Sequence, residues 1–255
     1  MSDKEHRSDN LARSRRSLAK AAALLAGVVS GMLGSRVAFG GRPGGQKCFL
    51  RGTQIRTLNG YRPVESLSAG DMLPTHFGGE RPIRAIRHFC FERPGRDEAW
   101  PLLTRPVRIQ ASAIADNVPR ADLYLSRQHS LYLDGALTPA WNLVNDTSIT
   151  IDAATDLAVI EYFHIELDQH DVIDAEGALC DTLFEETART ASSAVWGEEY
   201  DGAIVPGACA PLRDYRRLGN ILKSRLRSAL SPVVDMRRPL DRIRDGIEER
   251  TSQTS

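Results

Sequence analysis

Cys48, His129 and His170 are the residues of this chain whose types and contexts suit acyl chemistry. Cys48 opens the segment Cys48-Phe49-Leu50-Arg51-Gly52-Thr53-Gln54-Ile55. A cysteine at the first position of a domain has its sulfur beside its own upstream carbonyl, which it can attack through a five-membered ring. The product is a thioester in place of an amide, and something must take the thiol's proton. Ser126 and His129 share the stretch Leu125-Ser126-Arg127-Gln128-His129-Ser130, and His170 follows Leu167-Asp168-Gln169. An imidazole is the usual carrier of protons near neutral pH. Each residue also has a plain structural explanation. A free cysteine is most often a small buried apolar residue, and a single histidine is more often a surface or satisfied core residue than a catalytic one.

The elements that must position these side chains read as β-structure. Residues 55–58 form a short strand that runs into Asn59-Gly60, a strong hairpin signal. Residues 62–67 read as a short non-strand crossing, and Ser68-Ala69-Gly70-Asp71 as a turn into a strand at 72–76. Gly78-Gly79 leads into a long, bent strand over 81–91, and further strands are expected at 106–110, 123–126, 130–133, 148–152, 157–168 and 172–175. Short runs broken repeatedly by turn residues predict an all-β sandwich or barrel-like domain.

Length and charge bound the rest. The chain has 255 residues, 42% of them hydrophobic, enough for one main domain with appendages. Its net charge of zero hides a cancellation: residues 1–47 carry +6, residues 48–212 carry −11 and residues 213–255 carry +5. An acidic centre argues against a nucleic-acid groove there. The cysteines at 48, 90, 180 and 209 include no close pair, so neither a metal motif nor a disulfide framework is expected, and no cofactor is implied.

Residues 1–40 compose an export signal: Ser14-Arg15-Arg16-Ser17-Leu18-Ala19-Lys20, a short apolar run over 21–33, then small residues at Ala38 and Gly40. The pattern resembles a bacterial twin-arginine signal, which implies the twin-arginine translocation machinery as a partner and a periplasmic destination. If it is not removed, residues 19–39 are a marginal membrane anchor, tethering the protein on the periplasmic side. Residues 41–47 read as a flexible linker.

Taken in order, Cys48-Phe49 with Gly52-Thr53, Leu125-Ser126-Arg127-Gln128-His129, and Leu167-Asp168-Gln169-His170 with Ala175-Glu176-Gly177 resemble the Hint fold shared by hedgehog autoprocessing domains and inteins. The resemblance spans residues 48–185, and Pro63-Val64-Glu65-Ser66-Leu67 with Gly70-Asp71 fits the segment between the family's first blocks. It implies a horseshoe or disc of short strands. It also implies roles: Cys48 as nucleophile, Ser126 as hydrogen-bond partner of the scissile peptide, His129 as proton donor to the leaving nitrogen, and His170 as an aid to the second step or a brace. The activity implied is single-turnover autoproteolysis of the Lys47–Cys48 bond through a thioester.

Departures from the family pattern narrow this. The Asn that splicing requires is missing after Gly177, where the chain reads Ala178-Leu179-Cys180-Asp181-Thr182. Splicing is therefore not expected, no residue is placed to activate a sterol, and Lys47 stands where glycine is usual. Two alternatives stay open: a processing-inactive exported scaffold or binding module, and a Cys/His hydrolase acting in trans. Residues 186–212, with Trp196 and Cys209-Ala210-Pro211-Leu212, read as an irregular extension. Residues 213–255 read as a basic helical tail whose leucines recur at helical spacing from Leu218 to Leu230, ended by Pro232. Such a helix suits an anionic membrane surface or an acidic partner, or packs its apolar side on the β domain. Pro239, Leu240, Ile243 and Ile247 suggest a second short helix, with residues 251–255 frayed.

Overall fold

The computed structural model describes residues 47–95, 97–182, 200–203, 208–214, 218–232, 235 and 237–254. The expected signal over 1–40, the linker up to residue 46 and Trp196 lie outside the described residues.

Fifteen strands form a hydrogen-bonded series among these residues, followed by two helices. They are β1 (Phe49–Leu50), β2 (Gln54–Thr57), β3 (Gly60–Pro63), β4 (Met72–Thr75), β5 (Gly79–Glu92), β6 (Val107–Ile109), β7 (Leu123–Leu125), β8 (Ser130–Leu133), β9 (Ala136–Pro139), β10 (Ile149–Ile151), β11 (Val159–Leu167), β12 (Val172–Ala175), β13 (Ala178–Asp181), β14 (Tyr200–Ala203) and β15 (Leu212–Asp214). The order across the series is β10-β6-β7-β1-β11-β5-β4-β12-β13-β8-β9-β15-β14, with the β2–β3 hairpin joined through β12. The pairings are antiparallel except β15 with β9. Among the described residues this is the all-β architecture of short strands that the sequence resemblance implied, with two α-helices in the C-terminal part.

Hairpin turns account for several sharp reversals. Glu176 (φ 51°) and Gly177 (φ 82°) both sit in the left-handed region between β12 and β13, which suits the right-handed twist of the strands they join. Glu176 gives this turn a second function. Its side chain accepts the Gln54 N–H at 2.9 Å and pairs with Arg120 at 3.0 Å, tying the turn to two other parts of the domain. At Asn59-Gly60 the hairpin forms as expected, but Thr57 pairs with Gly60, so the loop is Leu58-Asn59 and Gly60 (φ 103°) closes it. The crossing expected at 62–67 begins later than predicted. Arg62 and Pro63 complete β3, and only Val64–Ser66 form a 3₁₀ turn.

The long strand expected at 81–91 is β5, whose later part pairs with β11 from Glu92↔Val159 to Ile83↔Leu167. β11 lies between β1 and β5, and from Tyr162 to Leu167 every residue is buried. The main core gathers Phe49, Ile55, Leu73, Ile83, Leu123, Leu125, Leu131, Ile165 and Leu167, each essentially removed from water. Burying one such side chain contributes roughly 1.5–3 kcal/mol. A separate cluster of Phe89, Trp100, Ala154, Ile160 and Tyr162 surrounds Cys48.

The expected tail forms two helices, α1 (Leu218–Leu230) and α2 (Pro239–Thr254). Leu240 and Ile247 of α2 enter the main core, and Arg244 donates to the Asn142 carbonyl at 2.7 Å. The fraying expected from residue 251 is absent as far as Thr254. Thr251 bonds both the Ser148 hydroxyl and the Ile247 carbonyl at 2.9 Å, which holds the last turn on the β domain. On α1, Leu226 and Leu230 are exposed. In the extension expected to be irregular, β14 and the start of β15 are strands.

Candidate self-cleavage site

Strand register explains why Cys48 meets its partners. β1 is the middle strand between β7 and β11, with Phe49 opposite both Leu125 and Phe163. Antiparallel pairing then places the preceding residue, Cys48, beside the residues that follow Leu125 and Phe163, namely Ser126 and His164. The contacts agree. Cys48 N–H donates to Ser126 Oγ at 2.8 Å, and Ser126 N–H donates to the Cys48 carbonyl at 2.9 Å. On the other side of the same peptide, the Lys47 carbonyl accepts a hydrogen bond of 2.5 Å from His164 Nδ1. A carbonyl oxygen only accepts, so the proton of neutral His164 is on Nδ1.

The Lys47–Cys48 amide is thus held at both ends: at its oxygen by His164 and at its nitrogen by Ser126. Alternation along an extended chain sends Cys48 to one side and its neighbours Lys47 and Phe49 to the other. Cys48 is 1% exposed, and burial among apolar side chains pushes its thiol pKa well up. The thiol is therefore protonated at rest and is a nucleophile only when a base reaches it.

The opposite side is polar. His129 is 1% exposed and its ring lies 4.2 Å from that of Phe49. Burial pulls its pKa down to about 4, while Asp181 and the Cys48 backbone act in the other direction. Neither ring nitrogen completes a hydrogen bond among the described residues, although Nε2 is 3.6 Å from Asp181 Oδ1. An imidazole buried with both nitrogens unpaired carries a desolvation cost.

Asp181, the last residue of β13, is the hub of this side. Its side chain has no exposure. Oδ1 accepts Ser130 N–H at 2.9 Å, Oδ2 pairs with Lys47 Nζ at 2.5 Å, and His170 Nε2 stands 3.7 Å from Oδ2. Burial pushes the Asp181 pKa up, but the Lys47 ammonium, then His170 and His129, hold it well below the usual carboxylate range. Its charge is thus kept by neighbours and not by water.

Three of the four residues expected from sequence lie at or next to the Lys47–Cys48 peptide: Cys48 and Ser126 by direct contact, and His129 with its ring against that of Phe49. His170 stands farther back. Its described contacts are with Asp181 and with the backbone N–H of Cys209, which donates to Nδ1 at 3.2 Å. Sequence reasoning missed His164, Asp181 and the side chain of Lys47. The signal for His164 was weak: it lies in the apolar stretch Tyr162-Phe163-His164-Ile165 of β11, a strand also broken by Glu161 and Glu166. For Asp181 the only cue was an acid ending the apolar Ala178-Leu179-Cys180.

A family model described as Hint domain matches residues 47–187. Among solved structures, the fold is similar to a bacterial intein-like domain from Clostridium thermocellum, at 14% identity and a TM-score of 0.37 over 54% of this chain and 99% of that one. A DnaB intein from Synechocystis sp. PCC 6803 matches at 8% identity and a TM-score of 0.38, covering 55% of this chain and 100% of the intein. The gp41-1 intein matches at 13% identity and a TM-score of 0.33, covering 52% and 97%. No curated protein matches the chain.

Proposed function

The chain belongs to the Hint domain family, and from that premise we propose that Cys48 takes the Lys47 acyl group as a thioester and that the Lys47–Cys48 bond is then cleaved without splicing. The observation that carries this reading is the double hold on one peptide, with His164 on its carbonyl oxygen and Ser126 on its nitrogen. Cys48 Sγ attacks the Lys47 carbonyl carbon, and the developing oxyanion is met by His164 Nδ1–H, already aimed at that oxygen. The thiol proton reaches neutral His129, on the other side of the peptide, only when the apolar packing over Cys48 opens, and His129 then delivers it to the Cys48 nitrogen as the C–N bond breaks. Its depressed pKa makes the imidazolium a strong acid toward that leaving group. One S–C bond forms for one C–N bond broken, so the step consumes no outside reactant. Water or an added thiol then removes the acyl group from sulfur.

The lack of an Asn after Gly177 supports an end at cleavage. The test is to incubate the full chain with dithiothreitol or hydroxylamine and record intact masses. The expected product begins at Cys48 and disappears in Cys48→Ala; an uncut Lys47–Cys48 bond in every condition overturns the reading.

One observation favours a second reading, a processing-inactive scaffold: the thiol sits dry and protonated among Phe89, Trp100 and Tyr162. The same burial counts against a hydrolase acting on other molecules, since a substrate would have to displace this packing.

A further inference from the structure

We propose that Asp181 is a specificity-determining residue of the self-cleavage site, which recognises the ammonium of Lys47 and so selects lysine as the residue that donates the acyl group. This rests on the cleavage reading above and adds to it the identity of the residue before the scissile bond.

The geometry is that of a fitted pocket. Lys47 is gripped twice, by its carbonyl through His164 and by its side chain through Asp181 Oδ2 at 2.5 Å, and two such points fix the position of the acyl carbon. Asp181 cannot turn away, because Oδ1 is held by Ser130 N–H at 2.9 Å and its strand is pinned by the Cys180↔Leu131 pairing. The carboxylate has no exposure and the Lys47 side chain is 23% exposed, so the pair is little weakened by water. The residue matched to this pocket is unusual for the chain: Lys47 is the single lysine between residues 21 and 222 in a sequence that otherwise uses arginine.

Shape also favours lysine over arginine. A guanidinium binds a carboxylate best through both oxygens. Here Oδ1 is already engaged by Ser130 and faced by His129, and only Oδ2 is open to the acyl side. A compact single-point cation suits that one oxygen. An uncharged residue at 47 leaves Asp181 buried between His129 and His170 without its strongest partner, which disturbs the imidazole that handles the proton.

The experiment compares dithiothreitol-induced cleavage rates of the full chain bearing Lys, Arg or Gln at residue 47, each with Asp181 intact and with Asp181→Asn. The amide of the variant keeps an oxygen for Ser130 N–H, and circular dichroism melts check that each variant folds. With Asp181 present, Lys47→Gln is expected to slow cleavage at least about tenfold and Lys47→Arg by less, as for loss of a buried charge partner. In the Asp181→Asn background, the identity of residue 47 is expected to matter less than about twofold. A purely structural Asp181 would slow all three alike and leave their ratios unchanged, and unchanged ratios overturn the proposal. If the parent chain does not cleave at all, the cleavage reading fails separately, and recognition is read from acetylation of the amines. Lys47 should then be protected relative to the exposed Lys223, and lose that protection in Asp181→Asn. Equal labelling of Lys47 and Lys223 in the parent chain overturns the proposal in that case.

Discussion

The two sides of the Lys47–Cys48 peptide are built in opposite ways. Around the Cys48 sulfur lie Phe89, Trp100, Ala154, Ile160 and Tyr162, whose polar tips are engaged elsewhere: the Tyr162 hydroxyl donates to the Thr104 carbonyl at 2.9 Å, and the Trp100 indole N–H to the Ala154 and Leu157 carbonyls at 3.1 Å. Around the acyl group lie Lys47, His129, His164, His170 and Asp181, all buried or half-buried, with the Lys47–Asp181 ion pair at their centre. The apolar side stabilises the thiol over the thiolate. In the cleavage proposed above, the polar side is the one that meets charge developing on the carbonyl oxygen and at the leaving nitrogen. On that proposal the protonated thiol, and not the carbonyl, holds the reaction back, so the restraint belongs to one side only.

Removing the carbonyl partner should break this contrast most severely. His164→Ala leaves the Lys47 oxygen without its 2.5 Å donor, and cleavage followed by mass spectrometry should slow about 10²–10³-fold, the range for loss of one oxyanion donor. A rate within twofold of the parent would show that the polar side does not stabilise the oxyanion.

His129 gives the contrast a pH signature. Unfolded, it binds a proton below about 6.5; folded, only below about 4. Between those values the unfolded chain holds more protons, so stability falls as pH drops through this window and is fully present above it. The expected slope from this residue is about 1.4 kcal/mol per pH unit. Denaturant melts of the parent and of His129→Gln should differ in slope between pH 6.5 and pH 4 and run parallel above, and an unchanged slope in the variant would assign the effect elsewhere.

The smallest effect is expected on the apolar side. Tyr162→Phe keeps the ring against Cys48 and removes only the bond to the Thr104 carbonyl. It should cost about 1 kcal/mol of stability in a chemical melt while leaving the cleavage rate within about threefold. A loss as large as that of His164→Ala would mean that the Tyr162 hydroxyl serves the reaction.

What sequence revealed of the site followed its local contexts. Ser126 and His129 share one short stretch, and Cys48 opens a domain, so their types and neighbours were readable without knowing the fold. His170 was readable as well, but its place was not: among the described residues it contacts Asp181 and the Cys209 backbone and not the Lys47–Cys48 peptide. Asp181 itself stood out only as part of the segment lacking an Asn. Among the elements, β8 and β12 fell where alternation and turns placed them, while β9 and β13 were missed because Ala136–Pro139 and Ala178–Asp181 lack the β-branched alternation that marks a strand.

The sequence by itself determined a β-rich domain beginning at a cysteine, with a hydroxyl and an imidazole three residues apart and no Asn to complete splicing. Only the tertiary structure decided that β11 would bring His164 to the Lys47 carbonyl and that β13 would bring Asp181 to the Lys47 ammonium. The reason is register: the pairings Phe49↔Phe163 and Cys180↔Leu131 join segments far apart in the chain. Which residues face each other across such strands depends on how the strands pack and turn together, and local composition does not carry that information.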